Sequence, residues 1–305
     1  MGGMQPPLAT GRDALGSVML RRYGSTLRER MLPIALLGPG LAILAALFIY
    51  PIVANMVAMS FRSRYPPPWI FTWDRYVRFL TDPLYLKTLL TTLKLAATVT
   101  ALTAVIGYPV AYYFVRGRSR YQHWVFLGII FPLLVSVVVR TLGWIVVLGR
   151  EGLVNTVLLG LGLRHEAADL LRSFWSVTVG MVHVLLPFMI LSIASILGKI
   201  DRTWEEAAQS LGADEWRTFL RVTLPLSVPG IAAGAVIVFS LTLGAYVTPW
   251  MLARGRVQVL AMTIYDEALV LVDWPMAAVT SLMLTVVALG LLLVYWRAMR
   301  RWSWR

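Results

Sequence analysis

Long apolar runs separated by short polar segments dominate this chain. A helix needs about 20 apolar residues to cross the hydrocarbon core of a bilayer, and several runs reach that length. The pattern predicts six spans, at about 33–61, 84–115, 124–148, 174–197, 227–252 and 275–296. A polar tail, 1–31, precedes this domain of residues 32–297, and a short tail, 298–305, follows it. We therefore predict an all-α integral membrane protein.

Composition supports this fold class. The 305 residues are 58% hydrophobic and only 14% charged, and a soluble domain of this size would expose more charge. Cysteine is absent, which excludes disulfides and thiolate metal sites.

The distribution of basic residues predicts the orientation of the spans. Sixteen of the 28 Lys and Arg residues fall in the N-terminal tail, the 116–120 turn, the 199–225 loop and the C-terminal end from Arg297, against ten in the segments of the opposite side. Loops rich in Lys and Arg stay in the cytoplasm, so both termini and the 199–225 loop are predicted to be cytoplasmic. The net charge of +13 then faces anionic membrane lipid and requires no nucleic acid.

The 199–225 loop is the longest polar segment between apolar runs, and its pattern predicts two short helices. Thr203 and Glu206 form the T-x-x-E pattern of a capping box, which predicts a helix start, with Glu206 as a cap or as a contact to a basic residue of a partner. Gly212 ends this helix because glycine adopts the left-handed conformation at low cost. Asp214 caps the second helix, and Pro225 closes it.

The same loop carries a family motif. Glu206-Ala207-Ala208 is followed after three residues by Gly212 and after nine more by Val222-x-Leu224-Pro225. This resembles the EAA loop of permease subunits of binding-protein-dependent ABC importers, with Val in place of Ile. The resemblance implies a MetI-like type I importer fold with six spans, in a bacterial inner membrane. It also implies that the loop docks in a groove of a cytoplasmic ATPase, through Glu205, Glu206, Ala207, Ala208, Gly212, Asp214, Leu224 and Pro225.

Four further segments are similar to the spermidine/putrescine-type branch of this family. They are Arg140-Thr-Leu-Gly-Trp144, Gly152-Leu-Val-Asn155, Leu243-Gly-Ala-Tyr246-Val-Thr-Pro249 and Asp273-Trp274-Pro275. This resemblance implies a second, homologous permease subunit, ABC ATPase subunits and a periplasmic or lipid-anchored substrate-binding protein. It also implies a polyamine substrate, although the branch includes carriers of other organic cations, amino-acid-like compounds and phosphonates.

Carboxylates and aromatic faces would recognise a polyamine through charge and cation–π contacts. Candidates for the substrate pathway are Arg140, Trp144, Tyr246, Trp250 and Asp273, with Asp266 and Glu267 as further acids on the same side. Each has a structural alternative. Asp273 suits a helix cap, aromatic residues near span ends anchor at the interface, and Arg140 can pair with carbonyl groups of a neighbouring helix. His183, four residues before Pro187, is predicted to bond a carbonyl that the proline frees.

Motifs for catalysis are missing from the sequence. It has no G-x-x-x-x-G-K-[ST] pattern, so the chain is predicted not to be an enzyme and to bind no cofactor, with ATP and Mg held by the partner ATPase. His165-Glu-Ala-Ala-Asp169 lacks the second His of the zinc pattern, so no metal site is predicted. Gly230 and Gly234 form a small-x-x-x-small pair that predicts a close helix contact.

Other functions remain open from the sequence. A non-ABC secondary transporter with an incidental EAA-like loop fits the same spans. A membrane-anchored helix-turn-helix DNA-binding protein fits less well, because Arg221 stands where that motif needs a buried apolar residue. A loop lying on lipid is disfavoured by Glu205 and Glu206, which anionic lipid would repel.

Overall fold

A computed structural model describes residues 37–63, 68, 70–117 and 120–302. The N-terminal tail, the start of the first predicted span, Arg118 and the last three residues lie outside this part. The chain divides after Ala58 into two compact units. The first consists of α1, Leu37–Leu47, a π-helical turn at Ala45–Ile49, and the start of α2, Tyr50–Ser60. The π turn ends two residues before Pro51, and proline has no backbone N–H to donate.

The second unit consists of helices joined by turns and loops. Its helices are α3 Asp74–Thr81, α4 Pro83–Arg116, α5 Gln122–Leu134, α6 Val137–Leu148, α7 Leu153–Gly160, α8 Phe174–Leu197, α9 Thr203–Ser210, α10 Glu215–Thr218, α11 Leu224–Leu243, α12 Val247–Ala253, α13 Leu260–Tyr265 and α14 Trp274–Trp302. Within the described ranges there is no strand, only an isolated bridge between Arg62 and Phe71. The prediction of an all-α protein is confirmed.

Among the described residues, five helical segments are long and apolar enough to cross a membrane. They are Pro83–Arg116, Val137–Gly160, Phe174–Leu197, Glu215–Leu243 and Trp274–Tyr295. The first, third and fifth of these match predicted spans, and the span predicted at 174–197 has the same bounds as α8. The first predicted span is helical over its described residues but is not among the five.

The third predicted span, 124–148, is wrong as one continuous helix. The chain leaves the helical conformation at Val135 and Ser136, so α5 and α6 are separate. Pro132 in the last turn of α5 removes a backbone donor just before this break. The predicted loop at 150–172 is also partly wrong, because its apolar residues 153–160 form α7.

The fifth predicted span, 227–252, differs at both ends. Pro225 does not close the preceding helix, because α10, a π turn at Phe219–Thr223 and α11 run on as one segment. At the other end, α11 stops at Leu243, and Gly244 begins a turn before α12. Glycine favours such a break because its backbone is the least restricted.

The core lies where α4, α8 and α11 pack together. Its fully buried side chains include Leu95 and Val99 of α4, Met189 and Ile193 of α8, and Val238 of α11. A smaller cluster joins α3, α4, α13 and α14 through Phe79, Tyr85, Leu260, Met276 and Val279.

The predicted close contact at Gly230 and Gly234 is confirmed. A Cβ atom at Gly230 would lie 3.0 Å from Cβ of Ile196 and 3.2 Å from Cα of Ile193, both on α8. At Gly234 the nearest backbone atom is Cα of Met189, also on α8. The glycine pair therefore sets how closely α11 approaches α8, and Ser192 Oγ donates to the Gly230 carbonyl at 3.1 Å across the contact.

Candidate functional site

The first helix of the 199–225 loop begins with a cap that the sequence analysis placed wrongly. Asp201 Oδ1 accepts from the backbone N–H of Thr203 at 3.0 Å, and Thr203 is the first residue of α9. The predicted capping box of Thr203 and Glu206 is therefore absent. The hydrogen bond from Thr203 lowers the pKa of Asp201 below its usual value, because it stabilises the carboxylate.

The end of α9 has the predicted glycine. Gly212 adopts a φ of +89°, in the left-handed region. The N–H of Ala213 then donates to the carbonyl of Ala208 at 3.1 Å, and that of Gly212 to Gln209 at 2.9 Å. These bonds close the helix and redirect the chain into α10.

Asp214 caps α10, as predicted. Its Oδ1 accepts from the backbone N–H of Arg217 at 2.6 Å. The helix that follows passes Pro225 without a break. In the π turn the N–H of Leu224 bonds five residues back, to the carbonyl of Phe219, so the hydrogen-bond pattern has already shifted when the proline is reached.

A buried ion pair ties α9 to two other elements. Glu205 Oε1 accepts from Arg116 Nε at 3.2 Å and lies 3.1 Å from Arg116 Nη2, at the end of α4. The same oxygen accepts from Thr223 Oγ1 at 3.0 Å, in the π turn before α11. Only 15% of the Glu205 side chain and 9% of the Arg116 side chain are exposed. Glu205 therefore joins α4, α9 and the start of α11 at one point.

Backbone contacts reinforce this junction. Arg116 Nη2 also donates to the carbonyl of Ile200 at 3.0 Å, and Arg202 Nη2 donates to the carbonyl of Arg116 at 3.2 Å. The sequence analysis did not identify Arg116 or Thr223 as partners of the loop. An Arg at the last position of a long apolar run was the available signal, but its partner lies 89 residues further along the chain.

The opposite face of α9 is open. Glu206 and Ala207 are exposed and Ala208 is half-buried, and the Glu206 carboxylate caps no helix in the described structure. Large apolar side chains flank this face: Leu211 is 90% exposed, and Trp204 and Trp216 are about two thirds exposed. A cavity of about 300 Å³ lies between the two short helices, lined by Ala208, Leu211, Gly212, Ala213, Arg217 and Val222. An apolar surface of this kind is typical of an interaction site.

The pathway candidates Arg140 and Trp144 lie on α6. Trp144 Nε1 donates to His183 Nδ1 at 3.1 Å, so His183 accepts a side-chain hydrogen bond, and its predicted bond to a carbonyl is not observed. Arg140 Nε and Nη1 are buried and have no hydrogen-bond partner in the described structure. The pairing of Arg140 with carbonyl groups of a neighbouring helix is likewise not observed at these two nitrogens.

Asp273 has the structural role of a helix cap. Its Oδ1 accepts from the N–H of Met276 at 3.2 Å, in the first turn of α14. Its Oδ2 lies 2.6 Å from Arg75 Nη1. Glu267 is buried and accepts from Tyr85 at 2.7 Å and from Thr280 at 2.8 Å. Burial raises the pKa of Glu267 above its usual value.

Tyr246 and Trp250 belong to a stack of aromatic rings beyond the break in the fifth span. The ring of Tyr246 lies 6.1 Å from that of Trp250 and 4.6 Å from that of Tyr265, both nearly parallel. Trp250 and Asp266 line one cavity of about 530 Å³. Tyr246 and Tyr265 line another of about 580 Å³. The structure therefore separates the five pathway candidates into three groups: Arg140 with Trp144, Tyr246 with Trp250, and Asp273.

Comparison with known families decides between the functions left open by the sequence. The family model described as "binding-protein-dependent transport system inner membrane component" matches residues 103–302. The chain belongs to this family. Membership in this family favours neither the secondary transporter nor the DNA-binding protein. It confirms the resemblance that the EAA motif carries.

Two similar proteins are named as permeases of a transport system. The spermidine/putrescine transport system permease protein PotB of Escherichia coli (strain K12) is 33% identical over 257 residues, covering 83% of this chain and 93% of PotB. PotB of Haemophilus influenzae is 32% identical, covering 83% of this chain and 90% of its own. The structure of a bacterial alginate ABC transporter, in complex with an alginate pentasaccharide-bound periplasmic protein, aligns with a TM-score of 0.76 at 22% identity. It covers 91% of this chain and 96% of that one.

Members of this inner membrane component family are permease subunits and not enzymes, and the ATPase of the transporter is a separate subunit. This chain is therefore an ABC importer permease of the inner membrane, with the MetI-like fold. In the part of the chain that the structure covers, no group of three His, Cys, Asp or Glu side chains is arranged to hold a metal ion.

Proposed function

We propose that this permease transports a polyamine and couples to its ATPase through the exposed face of α9. The substrate is supported by the similarity to PotB proteins, which are named as spermidine/putrescine permeases and match most of this chain. The coupling role is supported by the contrast between two adjacent residues, Glu205 and Glu206. Glu205 is held inside the protein by Arg116, whereas Glu206 is exposed on the other face.

This contrast supports a coupling role, because a loop that transmits movement needs one face fixed to the spans and another face free for the partner. The Glu205 junction fixes α9 to the end of α4 and the start of α11. The small side chains of Ala207 and Ala208 leave the free face thin, so a groove of the ATPase can approach the helix backbone.

The remaining parts of the transporter follow from this assignment. A second, homologous permease supplies the other half of the translocation pathway, and a periplasmic or lipid-anchored protein delivers the substrate. Two ATPase subunits bind ATP and Mg, and this chain binds neither. The 199–225 loop and both termini lie in the cytoplasm, next to the anionic inner leaflet. Of the pathway candidates, Arg140, Trp144, Tyr246 and Trp250 are proposed to contact the substrate route, and Asp273 to act as a cap.

Cross-linking tests the docking face directly, because the chain has no cysteine of its own. We expect Ala207→Cys, in a complex co-expressed with the ATPase and second permease of the same operon, to cross-link to cysteines engineered along the groove of the ATPase. Leu163→Cys, at a residue that is also exposed and lies in the segment after α7, is the matched control and should give no product. Equal yields at both positions, or no product at Ala207 in an active complex, would contradict the coupling role.

Uptake measurements test the substrate. Proteoliposomes with the whole transporter and its binding protein should accumulate labelled spermidine when ATP is present on the ATPase side, and excess putrescine should compete. ATP-dependent uptake of a different solute, with no uptake of spermidine, would overturn the polyamine assignment and leave the importer assignment intact.

A further inference from the structure

We propose that Asp266 and Trp250 form a binding site for an aliphatic ammonium group, with Arg254 at its rim limiting how tightly the group is held. This inference deepens the proposed function and rests on its choice of a cationic substrate. The site is the cavity of about 530 Å³ beside α12 and α13. Gln258 and Met262 also line this cavity.

Asp266 differs from the two acids that follow it in the chain. Glu267 accepts two hydrogen bonds, and Asp273 has an ion pair and a backbone donor. The side chain of Asp266 has neither a hydrogen bond nor an ion pair to any residue that the structure describes, yet it is half-buried and lines the cavity. A half-buried carboxylate without a partner gains most from a cation that enters the cavity.

The aromatic stack supplies the second part of the site. Trp250 lines the same cavity, and 54% of its surface is exposed, so its indole ring is accessible to a ligand. Trp is the aromatic side chain with the strongest attraction for a cation over its face. The stack continues through Tyr246 to Tyr265, whose rings line the second cavity, so aromatic faces extend from one cavity to the next.

The carboxylate and the stack meet at one cavity, because Asp266 and Trp250 both line it. The pKa of Tyr246 is raised, first by desolvation, then by Tyr265, and also by the negative charge of Asp266. A cation that binds Asp266 would therefore lie next to the aromatic rings. An alkyl chain bearing ammonium groups has the shape and charge to follow this surface from one cavity toward the other.

Arg254 limits how tightly the site holds an ammonium group. It lines the same cavity as Asp266 but is exposed, and it forms no ion pair with any described acid. It also holds a left-handed backbone conformation at the end of α12, with a φ of +43°. A positive charge at the rim repels an ammonium ligand and so favours release, which a transport pathway requires as much as binding.

The test exploits the opposite signs of these two charges. Equilibrium binding of labelled spermidine is measured on the whole transporter in nanodiscs, without the binding protein. Asp266→Asn removes a charge-assisted hydrogen bond and should raise the Kd by about 10- to 100-fold. Arg254→Ala removes a screened repulsion and should lower the Kd by roughly two- to fivefold. Asp266→Glu should restore part of the affinity.

Glu166→Gln, a change at an exposed acid in the segment after α7, is the control for a general loss of negative charge and should leave the Kd unchanged. Size-exclusion profiles identify any variant that fails to assemble. The site is overturned if Asp266→Asn binds spermidine as the wild type does, if both variants shift the Kd in one direction, or if the wild type shows no binding. Intact spermidine uptake in any of these cases leaves the proposed function standing, whereas absent uptake contradicts the substrate itself.

Discussion

Each end of the fifth-span helix, Glu215–Leu243, has a helix-disrupting residue, but the helix continues past one of them and stops at the other. Toward the coupling loop the helix contains Pro225 and continues, because the π turn before it has already shifted the hydrogen bonds. At the other end the helix stops, and Gly244 leads into a turn. Proline therefore does not end this helix, which also contains Pro229, whereas the glycine at its other end allows the chain to turn.

The surroundings of the two ends differ in the same way. At the coupling end, Glu205 has two partners and its charge is neutralised inside the fold. At the broken end, Asp266 lines an open cavity and has no partner among the described residues. The continuous end is thus built for rigidity, and the broken end presents unpaired groups to a ligand. The predictions below test this difference, beginning with the largest expected effect.

Breaking the Glu205 junction should have the largest effect on stability. Glu205→Ala leaves the Arg116 guanidinium buried without its carboxylate, which we expect to destabilise the complex by about 3 kcal/mol. Thermal unfolding of the purified complex measures this loss. Glu206→Ala changes an exposed neighbour and should alter stability by less than about 0.5 kcal/mol. If both variants lose stability equally, Glu205 does not hold the coupling end rigid.

A side chain at Gly230 should separate α11 from α8. Gly230→Ala places a Cβ 3.0 Å from Ile196 and 3.2 Å from the backbone of Ile193, and backbone cannot move away easily. Overpacking of this kind costs about 1–3 kcal/mol. Gly290→Ala on α14 is the control, because no atom lies within 4 Å of its added Cβ. Denaturation that ranks the two variants alike would show that the glycine contact is not tight.

Replacing Gly212 should affect the turn between the two short helices. Gly212→Ala forces a side chain into the left-handed region at a φ of +89°, at a cost of about 1–2 kcal/mol. Gly212→Asn should cost less, since Asn tolerates this conformation. The yield of the Ala207 cross-link reports the geometry of the turn, and a full yield with Gly212→Ala would show that the turn is not rigid.

The smallest effect concerns the pH dependence contributed by Glu267. Its pKa is raised in the folded protein, so the folded state favours the protonated carboxyl group. The stability from this group is complete below the ordinary value of about 4.3 and is lost as the pH rises through the raised value. Glu267→Gln cannot ionise and should show a smaller decline in melting temperature over that range. Parallel profiles for the two proteins would exclude this contribution.

Much of the fold follows from hydropathy alone, because long apolar runs and their caps are local features. The bounds of the fourth predicted span, 174–197, coincide with those of α8. The breaks at Ser136 and Gly244 were missed, since apolar residues continue on both sides of each and periodicity does not register a local change of backbone.

The candidate site was predictable only in part, for a similar reason. The turn at Gly212 and the cap at Asp214 depend on neighbouring residues, and both were predicted. The pairing of Glu205 with Arg116 joins residues far apart in sequence, so only packing reveals it. Asp266 and Glu267 were indistinguishable as adjacent acids until the structure showed that one is buried with partners and the other faces a cavity.

The unbroken helix from Glu215 to Leu243 makes the fifth span a lever arm. At about 1.5 Å per residue, its 29 residues give an arm of roughly 40 Å, so a tilt of about 5° at one end displaces the other by roughly 3–4 Å. The displaced end carries Gly244 and, two residues later, the first ring of the aromatic stack. A small movement at the exposed face of α9 would therefore shift the aromatic rings far enough to open or close the path of a solute.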